Sequence, residues 1–544
     1  MRVVWRVIGI LAIVARAGQS QSATPSDLPF RPVDYDVRID LPDSGATING
    51  DATLTLTSAV VVDTLKLDLI KLHVQRVDVD RRAANFARTD STIVIPIPRN
   101  TPSRFTVRVV YDGPVTDGLI ARRDSAGRWT YFGDNWPNRA RYWIPSIDRP
   151  DAKATVSWTV TAPPTQTIVA NGKLVESRIL QMAQQRRVLS RWRESKPIAP
   201  YLMVIAAAPL TKLELGETAC GLAELARCVP QSVYVAPEQR NILPGAFAEA
   251  GDIVQFYASL IAPFPYEKLA HLQSETRYGG MENASAIFYA DALFHRNAMS
   301  EGLIAHETAH QWFGDAVTER TWPHVWLSEG FATYFAALYT QHAHGDSAFR
   351  AEIRRLRDQV VSDTVVARKR PVIDTTETDL LALLNVNSYQ KGALVLHMLR
   401  SDVGDSAFFR ALRDYYSTHK DGNADTDDLR QSFERVTGKD WRTFFNQWLR
   451  RPGYPQLNVT WSDVPQQGTV LKVFQFWGVF GYFEVTLPVV VLYTDGTRRS
   501  LKIPVAGNET TLRIDAPGTQ VQQVLVDPDA TLLFWNMPKL APPD

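Results

Sequence analysis

A chain of 544 residues is more than one hydrophobic core normally organises, and it should divide into about three domains. Its 45% apolar and 22% charged content, with 14 tryptophans, excludes the disordered and fibrous classes. A formal net charge of +1 leaves no electrostatic footprint for nucleic acid or an anionic membrane.

The N-terminus has the layout of an export signal. Arg2 and Arg6 precede an apolar run at 7–14, and Ala15-Arg16-Ala17 is an A-x-A cleavage pattern. The run is far shorter than the roughly 20 residues needed to span a bilayer, so cleavage near Ala17 is expected rather than stable membrane insertion. Cleavage would remove three arginines and no acid, leaving a formal charge of −2. The expected destination is the periplasm or the exterior.

Residues 24–30 form a short polar lead containing prolines. From residue 35 onward, short runs with two-residue alternation, such as Tyr35-Asp36-Val37-Arg38-Ile39 and Ala52-Thr53-Leu54-Thr55-Leu56, lie between Gly, Pro, Asn and Asp turns. That pattern predicts an all-β domain over 24–213. The only cysteines, Cys220 and Cys228, are close enough in sequence for a local disulfide in an oxidising compartment, two buried free thiols being the other reading. The period then changes, and helices are expected at 246–259, 302–313, 331–340, 394–400 and 427–436, within a mainly helical domain over 214–452. Past Pro452-Gly453-Tyr454-Pro455 strand patterns return, including 483–493 and 521–526, and predict a β domain over 453–544. The whole is a multidomain α+β architecture with no internal repeat.

The chemistry is concentrated in His306-Glu307-Thr308-Ala309-His310. Histidines four apart on a helix project from one face about a turn apart and can share one ion. Ser300 can cap such a helix, Glu301 suits its N-terminal end, and Leu303, Ile304, Ala305 and Ala309 mark it as buried. Neutral imidazoles suit zinc, and a catalytic site needs three protein ligands with one position open for water. A third histidine in the common downstream pattern would require Gly at 313 and His at 316, where Phe313 and Ala316 stand. A glutamate from a following helix is the other common solution, and Trp326-Leu327-Ser328-Glu329-Gly330 supplies Glu329, with eighteen residues between it and His310. Glu307 diverges from its neighbour His306 by about 100° on the helix, which places it as the base for the attacking water rather than as a ligand.

With these strings in hand, the sequence resembles the aminopeptidase N family of zinc metallopeptidases, the gluzincins that also include a leukotriene epoxide hydrolase. His306 to Gly314 and Trp326 to Ala332 resemble the family's metal segments, and Gly279-Gly280-Met281-Glu282-Asn283 resembles its exopeptidase segment. The resemblance implies one zinc ion on His306, His310 and Glu329, and a β saddle, a thermolysin-like catalytic domain and a small β-sandwich in order. It also implies peptide substrates with a free N-terminus, Glu282 binding the α-amine, and Tyr389 donating to the oxyanion. Upstream, Trp136 to Pro145 resembles the segment of the β domain that reaches the active site. Relatives there carry a Gln or Glu near the substrate amine; the positions that could serve here are Asp134 and Asn135, with Trp136 standing near where an acid is often found, and Asp134 is the candidate, a plain surface-turn role being its other reading. Larger relatives continue with a helical roof over the site, so a more open cleft is expected. The alternatives are an epoxide hydrolase or endopeptidase using the same metal, and a non-catalytic scaffold.

Overall fold

The alternation of the first two hundred residues is realised as long strands with one face inward. The computed structural model describes residues 28–537 apart from 59, 61–62, 183–184, 219–228, 242, 465–467, 479 and 515–519. The expected signal segment and both Cys220 and Cys228 lie outside the described residues.

Strand Arg31–Asp40 runs antiparallel to Thr47–Thr57 and parallel to Ala154–Ala162, at the middle of an eight-stranded sheet. Tyr35, Val37 and Ile39 alternate inward and lie in register with Val156, Trp158 and Val160, all buried. Each such side chain contributes about 1.5–3 kcal/mol by leaving water, which fixes the register, because a slip of one residue would turn the whole row outward. A four-stranded sheet, Thr167–Ala170, Ile205–Ala208, Trp129–Gly133 and Leu119–Arg123, completes the face toward the next domain.

The next strand, Thr211–Thr218, runs across the expected boundary at 213 and pairs with Val229–Val235. These two strands, with Leu269–Ser274, Ala286–Ala290 and the two-residue edge Gly280–Met281, form a five-stranded sheet that the helical pattern of the region did not disclose. The strands Leu269–Ser274 and Ala286–Ala290 are buried along nearly all of their length, and they lack the period-2 signal of a one-sided sheet.

Packed after the sheet are the helices α1 (Glu301–His310), α2 (Trp326–Ser362) and α3 (Gly392–His419). Both α2 and α3 are broken, at Gly345 (φ 84°) and Gly404 (φ 76°). Shorter helices Ala250–Leu260 and Thr426–Thr437 match two of the expected segments. Beyond Tyr454 the chain forms two sheets, Gln456–Val464 with Gly468–Gln475, Glu509–Ile514 and Trp535–Asn536, and Val485–Tyr493 with Arg498–Val505 and Val521–Val526. Among the described residues no helix is long and apolar enough to cross a membrane.

Candidate active site

Helix α1 begins as its sequence predicts: the Ser300 hydroxyl accepts from the Leu303 N–H at 3.2 Å, and Glu301 faces the positive end. Its far end is anchored by Phe313, whose ring stacks on Phe331 of α2 at 4.3 Å. That contact brings the first turns of α2 against the last turn of α1, and Glu329 thereby reaches the two histidines. The backbones of α2 and α3 meet at Gly330 and Gly392, where a Cβ on Gly330 would lie 2.9 Å from the Gly392 Cα. Only glycines allow this approach, and it delivers Tyr389, carried on a single π-helical turn Asn387–Lys391 at the start of α3, to the same place.

The resulting triangle is small. The Nε2 atoms of His306 and His310 are 3.1 Å apart and lie 3.3 and 3.4 Å from Glu329 Oε2. Tetrahedral ligands at 2.0–2.1 Å from a zinc ion stand about 3.3 Å from one another. Glu329 Oε2 is buried with no hydrogen-bond partner of sound geometry, and the His310 Nδ1 on the far side of its ring faces Ser328 Oγ (2.9 Å) and the Phe313 carbonyl (3.2 Å). Two imidazoles, one carboxylate and an orienting contact on the outer nitrogen fit zinc. The surrounding field points the same way. Despite burial, the carboxylates of Glu329, Glu282 and Glu307 push the His310 pKa up to about 10, and the imidazoles hold the buried Glu329 down at about 2. The site is built around a positive charge.

Glu307, Glu282 and His310 also come together, the nearest ligand atoms all within 4.8 Å of one another. Burial, reinforced by the neighbouring acids, raises Glu307 well above the usual carboxylate range, and burial raises Glu282 to about 7. A Cβ on Gly280 would sit 2.1 Å from Glu307 Oε1, so the edge strand Gly280–Met281 passes directly over the base. Tyr389 stacks on His306 at 5.9 Å and 13°, and burial raises its hydroxyl pKa well above the ordinary value, so it remains a proton donor.

All of these groups line one cavity of about 590 Å³: Gly279, Gly280, Met281, Glu282, His306, Glu307, His310, Glu329 and Tyr389. Asn283 is fully buried behind the lining. Asp134 is also absent from it. Its carboxylate is buried and faces Arg139 Nη2 at 3.1 Å and Arg277 Nε at 3.6 Å rather than the cavity. The first domain instead presents Trp136 to the cavity, with its ring edge-on to Tyr278 and Trp322. Sequence reasoning also missed Ser328 and Gln311, which sit inside the quoted strings but act on partners from other elements.

This arrangement coincides with known domains. Residues 31–202 match the peptidase M1 N-terminal domain, and residues 246–448 match the peptidase family M1 domain. The chain belongs to peptidase family M1. Within M1, it is 26% identical over 453 residues to aminopeptidase N of Lactobacillus helveticus, covering 79% of this chain and 52% of that one. It is 24% identical over 482 residues to the Tricorn protease-interacting factor F2 of Thermoplasma acidophilum, covering 85% and 59%. This M1 chain thus spans about half the length of the curated relatives it matches. The fold resembles that of Legionella pneumophila aminopeptidase A, with a TM-score of 0.80, 19% identity and coverage of 95% of this chain and 60% of that one. It also resembles an M1 zinc metallopeptidase of Deinococcus radiodurans, with a TM-score of 0.67, 23% identity and coverage of 77% and 94%.

Proposed function

We propose that this M1 protein is a zinc-dependent aminopeptidase that removes the first residue of peptides. The observation that carries this reading is the presence of a three-ligand metal site, a buried carboxylate base and a second carboxylate, Glu282, on one cavity. His306, His310 and Glu329 would hold the zinc ion, which when bound would supply Lewis acidity to polarise the scissile carbonyl and acidify water. Glu307 takes the proton of the attacking water and returns it to the leaving amine, a role suited to a carboxylate raised by burial. Tyr389 donates a hydrogen bond to the oxyanion developing on the substrate carbonyl. Glu282 pairs with the substrate ammonium, and its fixed place beside the metal ligands counts one residue from the chain end. The backbone of Gly279 and Gly280 runs along the bound peptide. The related aminopeptidases N and the zinc metallopeptidase noted above support this reading.

The N-terminal segment supports export, with action on peptides outside the cytoplasm. The test is a set of aminoacyl fluorogenic substrates, each paired with its N-acetylated counterpart, run with and without a chelator. Cleavage of the free-amine member only, abolished by chelation and restored by zinc, is expected. Equal cleavage of both members would replace the exopeptidase reading with an endopeptidase one.

A further inference from the structure

Asp134 faces two arginines, whereas Glu282 lines the cavity, and the first domain grips the loop that follows Glu282. The loop after Glu282 is held from two sides. From α1, Gln311, the residue following the metal ligand His310, donates from Nε2 to the Glu282 carbonyl at 2.8 Å and to Asp315 Oδ2 at 2.9 Å. Its Oε1 accepts from the Ser285 N–H at 2.8 Å. From the first domain, Asn171 donates from Nδ2 to the carbonyls of Ala284 and Leu202, both at 2.8 Å, and its Oδ1 accepts from the Val204 N–H at 2.7 Å. Beside it, the Gly172 N–H donates to Ser285 Oγ at 2.7 Å. Gln311, Asn171 and Ser285 are each 0% exposed, so water does not compete for these bonds.

The geometry has a functional reading. A peptide is cut one residue from its end only if the acid that holds the ammonium stays at a set distance from the metal. Gln311 ties the Glu282 backbone to a residue one peptide bond from His310, and Asn171 with Gly172 ties the next residues to a rigid β domain. We propose that Gln311 and Asn171 are positioning residues that set the distance from Glu282 to the metal ligands, so that amine selection belongs to the junction of two domains. This rests on the reading of Glu282 as the ammonium partner.

The test uses the full, zinc-loaded chain and the variants Gln311→Met and Asn171→Asp, with Ser285→Ala as a milder change that removes only the acceptor for Gly172. Zinc content and thermal midpoint are checked first; if either larger substitution fails to fold, Ser285→Ala decides. The expected result is a rise in KM for a free-amine substrate on the order of tenfold, with kcat within about threefold, since small misplacements of binding groups cost this much or more. Preference over the N-acetyl counterpart should fall by the same factor. Calorimetric titration of an amino-acid amide against its N-acetyl form should show the same loss of discrimination without turnover. Unchanged discrimination in folded, zinc-bearing variants would overturn the proposal, as would a fall in kcat alone. If the unsubstituted protein already cleaves both members equally, the role of Glu282 fails and this inference with it; failure confined to the variants removes only the clamp.

Discussion

Ser328 Oγ lies 2.9 Å from Nδ1 of His310, one residue before the ligand Glu329. The contact orients the imidazole so that Nε2 faces the metal position, and it ties one ligand to the helix that supplies another. Ser328→Ala should weaken zinc affinity about 10- to 100-fold, measured by competition with a chromophoric chelator, with little change in fold. Unaltered affinity would assign the orientation to the Phe313 carbonyl alone.

Glu307→Gln keeps the shape of the base and removes its proton acceptor. Zinc content and the melting curve should stay as in the parent protein while kcat falls by about 10²–10⁴. Retained turnover with full zinc occupancy would remove Glu307 from the mechanism.

Gly280→Ala reaches the same group from outside. The added Cβ would fall 2.1 Å from Glu307 Oε1, and the strand and the base cannot both keep their places. Turnover should drop at least tenfold, with zinc retained. The discriminating measurement is kcat beside metal stoichiometry; normal kcat would show that the edge strand yields freely.

Tyr389→Phe removes a single hydroxyl. Loss of an oxyanion donor typically costs about 10²–10³ in kcat, and KM for a dipeptide substrate should move little. A change confined to KM would make Tyr389 a binding group.

His271, away from the metal, contributes to acid stability. Burial lowers its pKa to about 3, and its Nδ1 lies 3.0 Å from the Tyr289 hydroxyl. The unfolded chain takes up a proton near pH 6.5 that the folded protein refuses until about pH 3, so stability is full above 6.5 and falls as the pH drops through that window. The loss amounts to about 2 kcal/mol at pH 5. Urea unfolding of the parent and His271→Gln should diverge in slope between pH 6.5 and 4, with the variant less pH-sensitive. Parallel profiles would place the acid sensitivity elsewhere.

Much of this site is written in one dimension. The four-residue spacing of His306 and His310, the cap at Ser300 and the string ending at Glu329 depend on helix geometry, which is local, so sequence period alone places them. The inward rows of the first domain are legible for the same reason, because burial alternates with the chain. The strands Leu269–Ser274 and Ala286–Ala290 were not, since strands covered on both faces lose that alternation.

The sequence by itself therefore picked out the candidate metal ligands, the candidate base and the β, helical, β order of the chain. Which carboxylate lines the cavity was decided only in three dimensions. Asp134 and Glu282 are equally acidic as letters, yet Arg139 and Arg277 hold the first, while Gln311 and Asn171 hold only the backbone around the second and leave its carboxylate to the cavity. The Arg277–Asp134 pair and the Asn171–Ala284 bond join residues more than a hundred positions apart, and no spacing rule along the chain carries that information.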